Sequence, residues 1–78
     1  MTTIKALNPK NQSKVNKAVN ALLRYYELNN LRDNADGEGN ERAYKKYNRM
    51  CEQAFDKYLN YLTDLPKREQ ANIEKQDN

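Results

Sequence analysis

The sequence of 78 residues contains no histidine, no tryptophan and only one cysteine, Cys51. Histidine is the commonest general base near neutral pH and the commonest metal ligand. One cysteine can neither close an internal disulfide nor complete a structural zinc site. We therefore expect no enzymatic activity, no bound metal and no cofactor. A domain of this size without a disulfide or a structural metal site must be stabilised by packing or by a partner.

Long apolar runs are also lacking. No segment approaches the roughly 18 consecutive apolar residues of a membrane span. Residues 1–14 hold no apolar segment of the kind found in a signal peptide. A lone cysteine is typical of a reducing compartment. These features predict a cytoplasmic protein that makes no membrane contact.

The two prolines and two glycines mark the boundaries of helices. Asn8 suits an N-cap and Pro9 the first helical position, so a helix is predicted to begin there. Residues 33–40 contain both glycines and no large apolar side chain, which predicts a loop. Asn40 is a candidate cap for the next helix, and Asp36 is the alternative. Proline disfavours helical geometry at the preceding residue, so this second helix should end just before Pro66.

Apolar residues recur at intervals of three and four, which is typical of helices, and no strand-like alternation occurs. The prediction is a single all-α domain over residues 1–78, a long antiparallel helical hairpin with helices at about 9–32 and 40–64. Residues 66–78 form either a short polar C-terminal helix or a disordered tail, since Ala71 and Ile73 are their only apolar side chains. Residues 1–8 and 66–78 are expected to be flexible or weakly ordered.

The second predicted helix has the strongest pattern. Its apolar positions form a heptad seam, and further apolar residues widen the seam beyond what one neighbouring helix covers. We read Cys51, in the middle of the seam, as a small core residue. Pairing of two hairpins would cover the rest, so a homodimer is predicted. Whether the seam is core or interface stays open at this point. The residues assigned to self-association or to a partner are Tyr44, Tyr47, Met50, Phe55, Tyr58, Tyr61 and Leu62.

Charge is segregated along the chain, with five cations and no acid in residues 1–26, an acidic segment at 27–41 and four cations in 42–49. Some of these cations lie near a helix N-terminus or beside like charges, placements that cost stability and so indicate a partner. The predicted basic face comprises Lys10, Lys14, Lys17, Arg24, Arg42, Lys45, Lys46 and Arg49. A hairpin would separate the two basic clusters by up to about 30 Å. That separation argues against nucleic-acid binding, which needs one basic patch. The eight-residue loop argues against a helix-turn-helix.

Acidic residues give no convincing metal site. The loop fails both registers of a calcium-binding EF-hand, with Ala43 or Lys45 where the last ligand should be glutamate. Glu52 and Asp56 lie one helical turn apart but have no histidine to complete a ligand set. A solvent-exposed face is the better reading of this pair.

Residue usage hints at an origin. The chain has twelve asparagines, nine lysines and six tyrosines, amino acids with AT-rich codons, as in a low-GC bacterium or its phage. We expect a small interaction protein that binds a larger protein. One concrete form is a phage or mobile-element product that inhibits a host nucleic-acid machine such as a CRISPR nuclease. The alternative is a small basic nucleic-acid-binding module that uses the lysine and arginine faces of its helices.

Overall fold

The computed structural model describes residues 4–77. A 3₁₀ turn (Pro9–Asn11) leads into helix α1 (Gln12–Gly37), which is followed by α2 (Glu41–Thr63) and α3 (Lys67–Asp77). No strand occurs in these residues. The predicted all-α hairpin with a short C-terminal helix is confirmed. Within the described range, no helix has the length and apolar character needed to cross a membrane.

Helices α1 and α2 lie antiparallel along their lengths. Near the open end, the Lys14 ammonium lies 3.4 Å from the Asp64 carboxylate. Near the turn, the Arg32 guanidinium donates a hydrogen bond of 3.2 Å to the side-chain oxygen of Asn48. The start of α1 therefore lies beside the end of α2.

Both predicted caps form their bonds, but α1 begins at Gln12, three residues later than predicted, after the 3₁₀ turn. The Asn8 side chain accepts a hydrogen bond from the backbone N–H of Lys10, and Pro9 takes the first position of the 3₁₀ turn. The Asn40 side chain accepts from the backbone N–H of Ala43 and caps α2. These caps satisfy N–H groups that have no partner inside their own helices.

The connection between α1 and α2 is shorter than predicted, because α1 continues through Gly37. Gly39 has φ +71°, and its N–H bonds the Asp36 carbonyl at 3.1 Å. The Asn40 N–H bonds the Ala35 carbonyl at 2.9 Å. These two bonds form a Schellman motif, which ends the helix on a left-handed residue. Ala35 is buried, so the last turn of α1 is held by packing that local composition does not reveal.

The short connection is itself compatible with a helix-turn-helix, but the angle between the helices is not. Helices of a helix-turn-helix cross at roughly 90–120°, whereas α1 and α2 run side by side.

The main core lies at the open end of the hairpin, where a third layer covers it. Helix α3 contributes Ile73, which has no exposed surface, and the segment before the 3₁₀ turn contributes Ile4 and Ala6. They pack with residues from both long helices. The buried members of this cluster are Ile4, Ala6, Val15, Ala18, Val19, Leu22, Tyr58, Leu62, Leu65 and Ile73.

A buried carboxylate joins the two ends of the chain. Glu69, in the first turn of α3, accepts hydrogen bonds from the backbone N–H groups of Leu7 at 2.8 Å and Asn8 at 3.1 Å. The side-chain amide of Asn11 donates a third bond of 3.0 Å. The bond from Leu7 is the main reason that the pKa of Glu69 lies below its ordinary value; the bonds from Asn8 and Asn11 act in the same direction and burial opposes them.

Further bonds hold the same segment. The Asn72 side chain donates to the carbonyl of Lys5, and the Gln12 side chain bonds the backbone of both Ile4 and Ala6. The flexibility expected of residues 1–8 and 66–78 stays a prediction, since residues 1–3 and 78 lie outside the described range. Their flexibility can be measured by hydrogen exchange at the amides that form these bonds.

The half of the hairpin near the turn has a smaller core, and no part of residues 4–77 forms a third layer over it. The buried residues of this smaller cluster are Leu28, Cys51 and Ala54, flanked by Tyr25, Tyr47 and Met50. With eleven residues, α3 is about 16 Å long, whereas the 26 residues of α1 extend about 39 Å. Helix α3 is therefore less than half as long as α1.

Candidate protein-binding surfaces

An exposed apolar surface lies beside the main core. It consists of Tyr26 on α1 and Phe55 and Leu59 on α2, with 41%, 38% and 38% of their surfaces exposed; we call it the aromatic face. The Tyr25 ring lies between the helices, with centroid distances of 5.9 Å to Tyr26 and 5.1 Å to Phe55. Phe55 also contacts the buried Tyr58, at 6.0 Å, so the aromatic face is continuous with the main core.

Helical spacing explains why this face is uncovered. Tyr26 follows Val15, Val19 and Leu22 in the same stripe of α1, at intervals of four, three and four. The first three of these residues are buried in the cluster that contains Ile4 and Ile73. Tyr26 is the next member of the stripe and lies beyond that cluster, so a large part of it stays exposed.

Two carboxylates border the aromatic face. Glu52 precedes Phe55 by three residues and Asp56 precedes Leu59 by three, which makes each pair neighbours on the helix surface. Both acids are exposed, and neither forms an ion pair with another residue in 4–77. An apolar patch with an acidic border suits a partner that presents apolar side chains next to cations.

The seven seam residues do not share one environment. Tyr58 and Leu62 are buried in the main core, and Tyr44, Tyr47 and Met50 are half-buried. Phe55 and Tyr61 are exposed, but they lie about 120° apart around α2 and so face different sides. The assignment of Cys51 to the core is confirmed, since its thiol is buried. Of the predicted seam, only Phe55 belongs to the aromatic face.

The eight residues of the predicted basic face are all exposed. Several have intramolecular contacts: Arg24 with Glu27 at 3.2 Å and Lys45 with Glu41 at 3.2 Å. The Lys46 ammonium lies 6.0 Å from the centroid of the Tyr47 ring. Because the hairpin is antiparallel, Lys10 and Lys14 lie at the open end, and Arg42, Lys45 and Lys46 lie near the turn.

A cavity of about 170 Å³ lies between the long helices, on a different side from the aromatic face. Arg24 and Lys57 line it from opposite helices. Lys57 is two residues from Phe55 and from Leu59 in the sequence, which corresponds to a rotation of about 200° around α2. The cavity and the aromatic face therefore lie on different sides of this helix. The full lining is Ala21, Arg24, Leu28, Met50, Gln53, Ala54 and Lys57. We call it the basic groove.

Sequence reasoning missed several of the residues that define these features. Leu59 lies off the heptad seam, Lys57 lies in a segment of net negative charge, and Glu69 lies in a tail read as polar. The position of Glu69 soon after Pro66 marks the start of a helix, but nothing local indicates its burial. Among the residues that the structure describes, no group of three or more cysteine, aspartate or glutamate side chains could hold a metal ion.

Comparisons with known proteins give no match: no protein-family model, no curated protein and no solved structure is similar to this chain.

Proposed function

We propose that this protein is a non-enzymatic binding module whose aromatic face contacts a larger protein. The observation behind the proposal is the exposure of Tyr26, Phe55 and Leu59 beside the main core. Aromatic side chains are enriched in the buried centres of protein interfaces. Covering the exposed part of each of these three residues contributes about 1 kcal/mol.

That gain does not by itself offset the cost of association, which is about 4 kcal/mol or more. The contact must therefore extend past the three side chains. A standard interface buries about 800 Å² on each partner, against a total surface of 5872 Å² for this protein. An area of that size reaches Glu52 and Asp56, so the partner presents a basic surface around an apolar centre.

A basic surface of this kind is characteristic of proteins that bind nucleic acid. We extend the proposal accordingly to a phage or mobile-element product, acting in the cytoplasm, that occludes a host nucleic-acid machine such as a CRISPR nuclease. The bias toward asparagine, lysine and tyrosine supports that origin. The acidic border supports the type of partner surface.

Two matched substitutions test the aromatic face. Leu59→Lys puts a cation on the aromatic face, and Leu31→Lys makes the same change on α1 at a residue with 36% exposure. Leu31 lies about 140° around α1 from Tyr26. We expect both variants to keep the helical circular dichroism spectrum.

The readout is capture of host proteins by each variant, quantified by mass spectrometry. A partner retained by wild type and Leu31→Lys but reduced about tenfold with Leu59→Lys supports the proposal. Equal capture by all three proteins contradicts it. Inhibition assays of a purified nuclease, with the same three proteins, test the narrower version.

Nucleic-acid binding is the second candidate, and the exposure of all eight predicted basic residues favours it. Their distribution over both ends of the hairpin does not, because phosphate contacts require one continuous basic patch. Shift assays with DNA and RNA at several salt concentrations measure it, since phosphate binding weakens steeply with salt.

A further inference from the structure

We propose that the basic groove binds an acidic, amphipathic helical segment of a protein. The proposal goes beyond the function above, because it concerns another side of the hairpin and a partner of the opposite charge. It rests on the shape of the groove, the charges on its walls and the alignment of residues along it.

The shape comes from two small residues. Ala21 on α1 and Ala54 on α2 lie where larger side chains would fill the space between the helices, and Leu28 and Met50 complete an apolar floor. The resulting cavity of about 170 Å³ is far larger than the roughly 10–15 Å³ that one water needs. It is open to solvent along one side and accommodates an apolar side chain from a partner.

The charges on the walls have one sign. Arg24 and Lys57 line the cavity from opposite helices, and no carboxylate lines it. Lys57 forms no ion pair with any residue in the described range. Arg24 pairs with Glu27, but both side chains are at least half exposed, and such surface pairs contribute little. Carboxylates from a partner would thus meet cations on both walls.

The groove extends along both helices. Lys17, Ala21, Arg24 and Leu28 follow one stripe of α1, and Lys46, Met50, Gln53 and Lys57 follow one stripe of α2, each at intervals of four, three and four. The antiparallel register, set by Lys14 beside Asp64 and Arg32 beside Asn48, makes the two stripes face each other over about 10 Å. A helical occupant of about two turns fills this stretch, with apolar side chains over the two alanines and acids on each side, as in other helix-in-groove complexes.

The floor of the groove favours a peptide over nucleic acid. Single-stranded nucleic acid is usually held by aromatic side chains that stack on its bases, and the cavity lining contains none. Phosphate contacts require cations, but an apolar cavity between those cations adds nothing to phosphate binding. An acidic amphipathic helix uses both features.

The test is fluorescence anisotropy with the full chain and a labelled synthetic helical peptide of about 14 residues. The peptide has one row of leucines flanked by glutamates. A second peptide has lysine in place of every glutamate, and labelled single-stranded RNA and duplex DNA complete the set. We expect the acidic peptide to bind and its affinity to fall with salt.

Matched variants locate the site. Lys57→Glu reverses a charge in the groove, and Lys67→Glu makes the same change at an exposed position on α3. We expect Lys57→Glu to weaken binding of the acidic peptide about tenfold and Lys67→Glu less than twofold. Gln53→Glu, which hardly alters shape, should also weaken binding.

Other outcomes overturn the proposal. Equal losses for Lys57→Glu and Lys67→Glu would mean that only overall charge matters. Binding of RNA or DNA without binding of the acidic peptide would assign the groove to nucleic acid. If no probe binds, the groove does not bind an acidic helix and the proposal is wrong. Leu59→Lys should retain the peptide, so failure of the groove and failure of the aromatic face are told apart.

Discussion

Gly39 is the residue whose backbone most depends on having no side chain. Its φ of +71° is left-handed, and a Cβ placed there would meet no other atom within 4 Å. The cost of a side chain at this position is therefore conformational strain and not a steric clash. Gly37 is the matched contrast, because it ends α1 in helical geometry and also has open space around it.

We expect Gly39→Ala to lower the free energy of unfolding by about 1 kcal/mol, because alanine is strained in the left-handed region. Gly37→Ala should raise it by about 0.5 kcal/mol, because alanine favours the helix and restricts the unfolded chain. Urea denaturation measures both. Changes of the same sign in the two variants would contradict the Schellman assignment.

The stability of the fold depends on pH in part through Glu69. Its pKa is lowered in the folded protein from the ordinary 4.5, chiefly by the Leu7 N–H. A group with a lowered folded pKa stabilises fully above its unfolded pKa and loses that contribution as the pH falls through the folded value. The contribution of Glu69 is therefore complete near pH 7, begins to decline near pH 4.5 and is lost as the pH falls through the lower folded pKa.

Substitution isolates this effect. Glu69→Gln should lower the thermal midpoint near pH 7, and the midpoint should change less than that of wild type between about pH 5 and pH 3. Glu74→Gln, an exposed glutamate of the same helix, should follow the wild-type profile. Identical pH profiles for Glu69→Gln and wild type would show that the carboxylate bonds do not matter to stability.

At the scale of the element, α3 depends on one apolar side chain. Ile73 is wholly buried, whereas the rest of the helix is mostly polar, so α3 has no stable structure apart from the hairpin. Burial of Ile73 against Ile4 and the hydrogen bonds of Glu69 hold the two ends of the chain as one layer.

Ile73→Ala should cost about 2–5 kcal/mol, a large part of the stability of a small domain. Leu7→Ala, at a residue 62% exposed, should cost less than about 0.5 kcal/mol.

Hydrogen exchange at the backbone amides of Leu7 and Asn8 measures whether the two chain ends are joined in this layer. We expect protection in wild type and its loss in Ile73→Ala. Rapid exchange of both amides in wild type would instead support the flexible ends expected from the sequence.

At the scale of the whole molecule, the hairpin is an elongated body of 45 × 20 × 16 Å with exposed apolar residues on more than one side. Phe55 and Leu59 lie on the aromatic face, and Tyr61 lies on another side of α2. This arrangement supports our proposal that the protein forms a homodimer as well as binding a partner. The unpaired acids beside Phe55 and Leu59 would repel each other across a two-fold axis through that face. Tyr61 is therefore the better centre for self-association.

Sedimentation equilibrium at several concentrations tests this proposal. We expect a mass about twice 9.2 kDa, reduced toward the monomer by Tyr61→Glu and unchanged by Leu59→Lys. A mass of 9.2 kDa at every concentration would contradict the dimer and leave Tyr61 as part of a surface for other partners.

Much of the fold could be predicted from local pattern. The spacing of apolar residues in α2, the caps at Asn8 and Asn40 and the stop at Pro66 depend on residues close together in the chain. The same is true of the core position of Cys51, which is central to the seam. These features follow from helix geometry and backbone hydrogen bonding, which every segment imposes on itself.

The candidate surfaces could be predicted only in part, because exposure depends on which segments cover which faces. Phe55 and Tyr58 are three residues apart and equally apolar in pattern, yet Tyr58 is buried under the third layer and Phe55 lies at its edge. Lys57 belongs to a basic groove only because Arg24 is placed opposite it by the antiparallel pairing.

Two amphipathic helices, their caps and the absence of histidine follow from the sequence alone, since each is a property of single residues or of neighbours within a few turns. The joining of both chain ends in one layer through Glu69 and Ile73, and the extent of that layer, follow from tertiary packing. Those contacts link residues about sixty positions apart. No local preference encodes them, and they form because a hairpin of two helices leaves apolar surface that a third segment can bury.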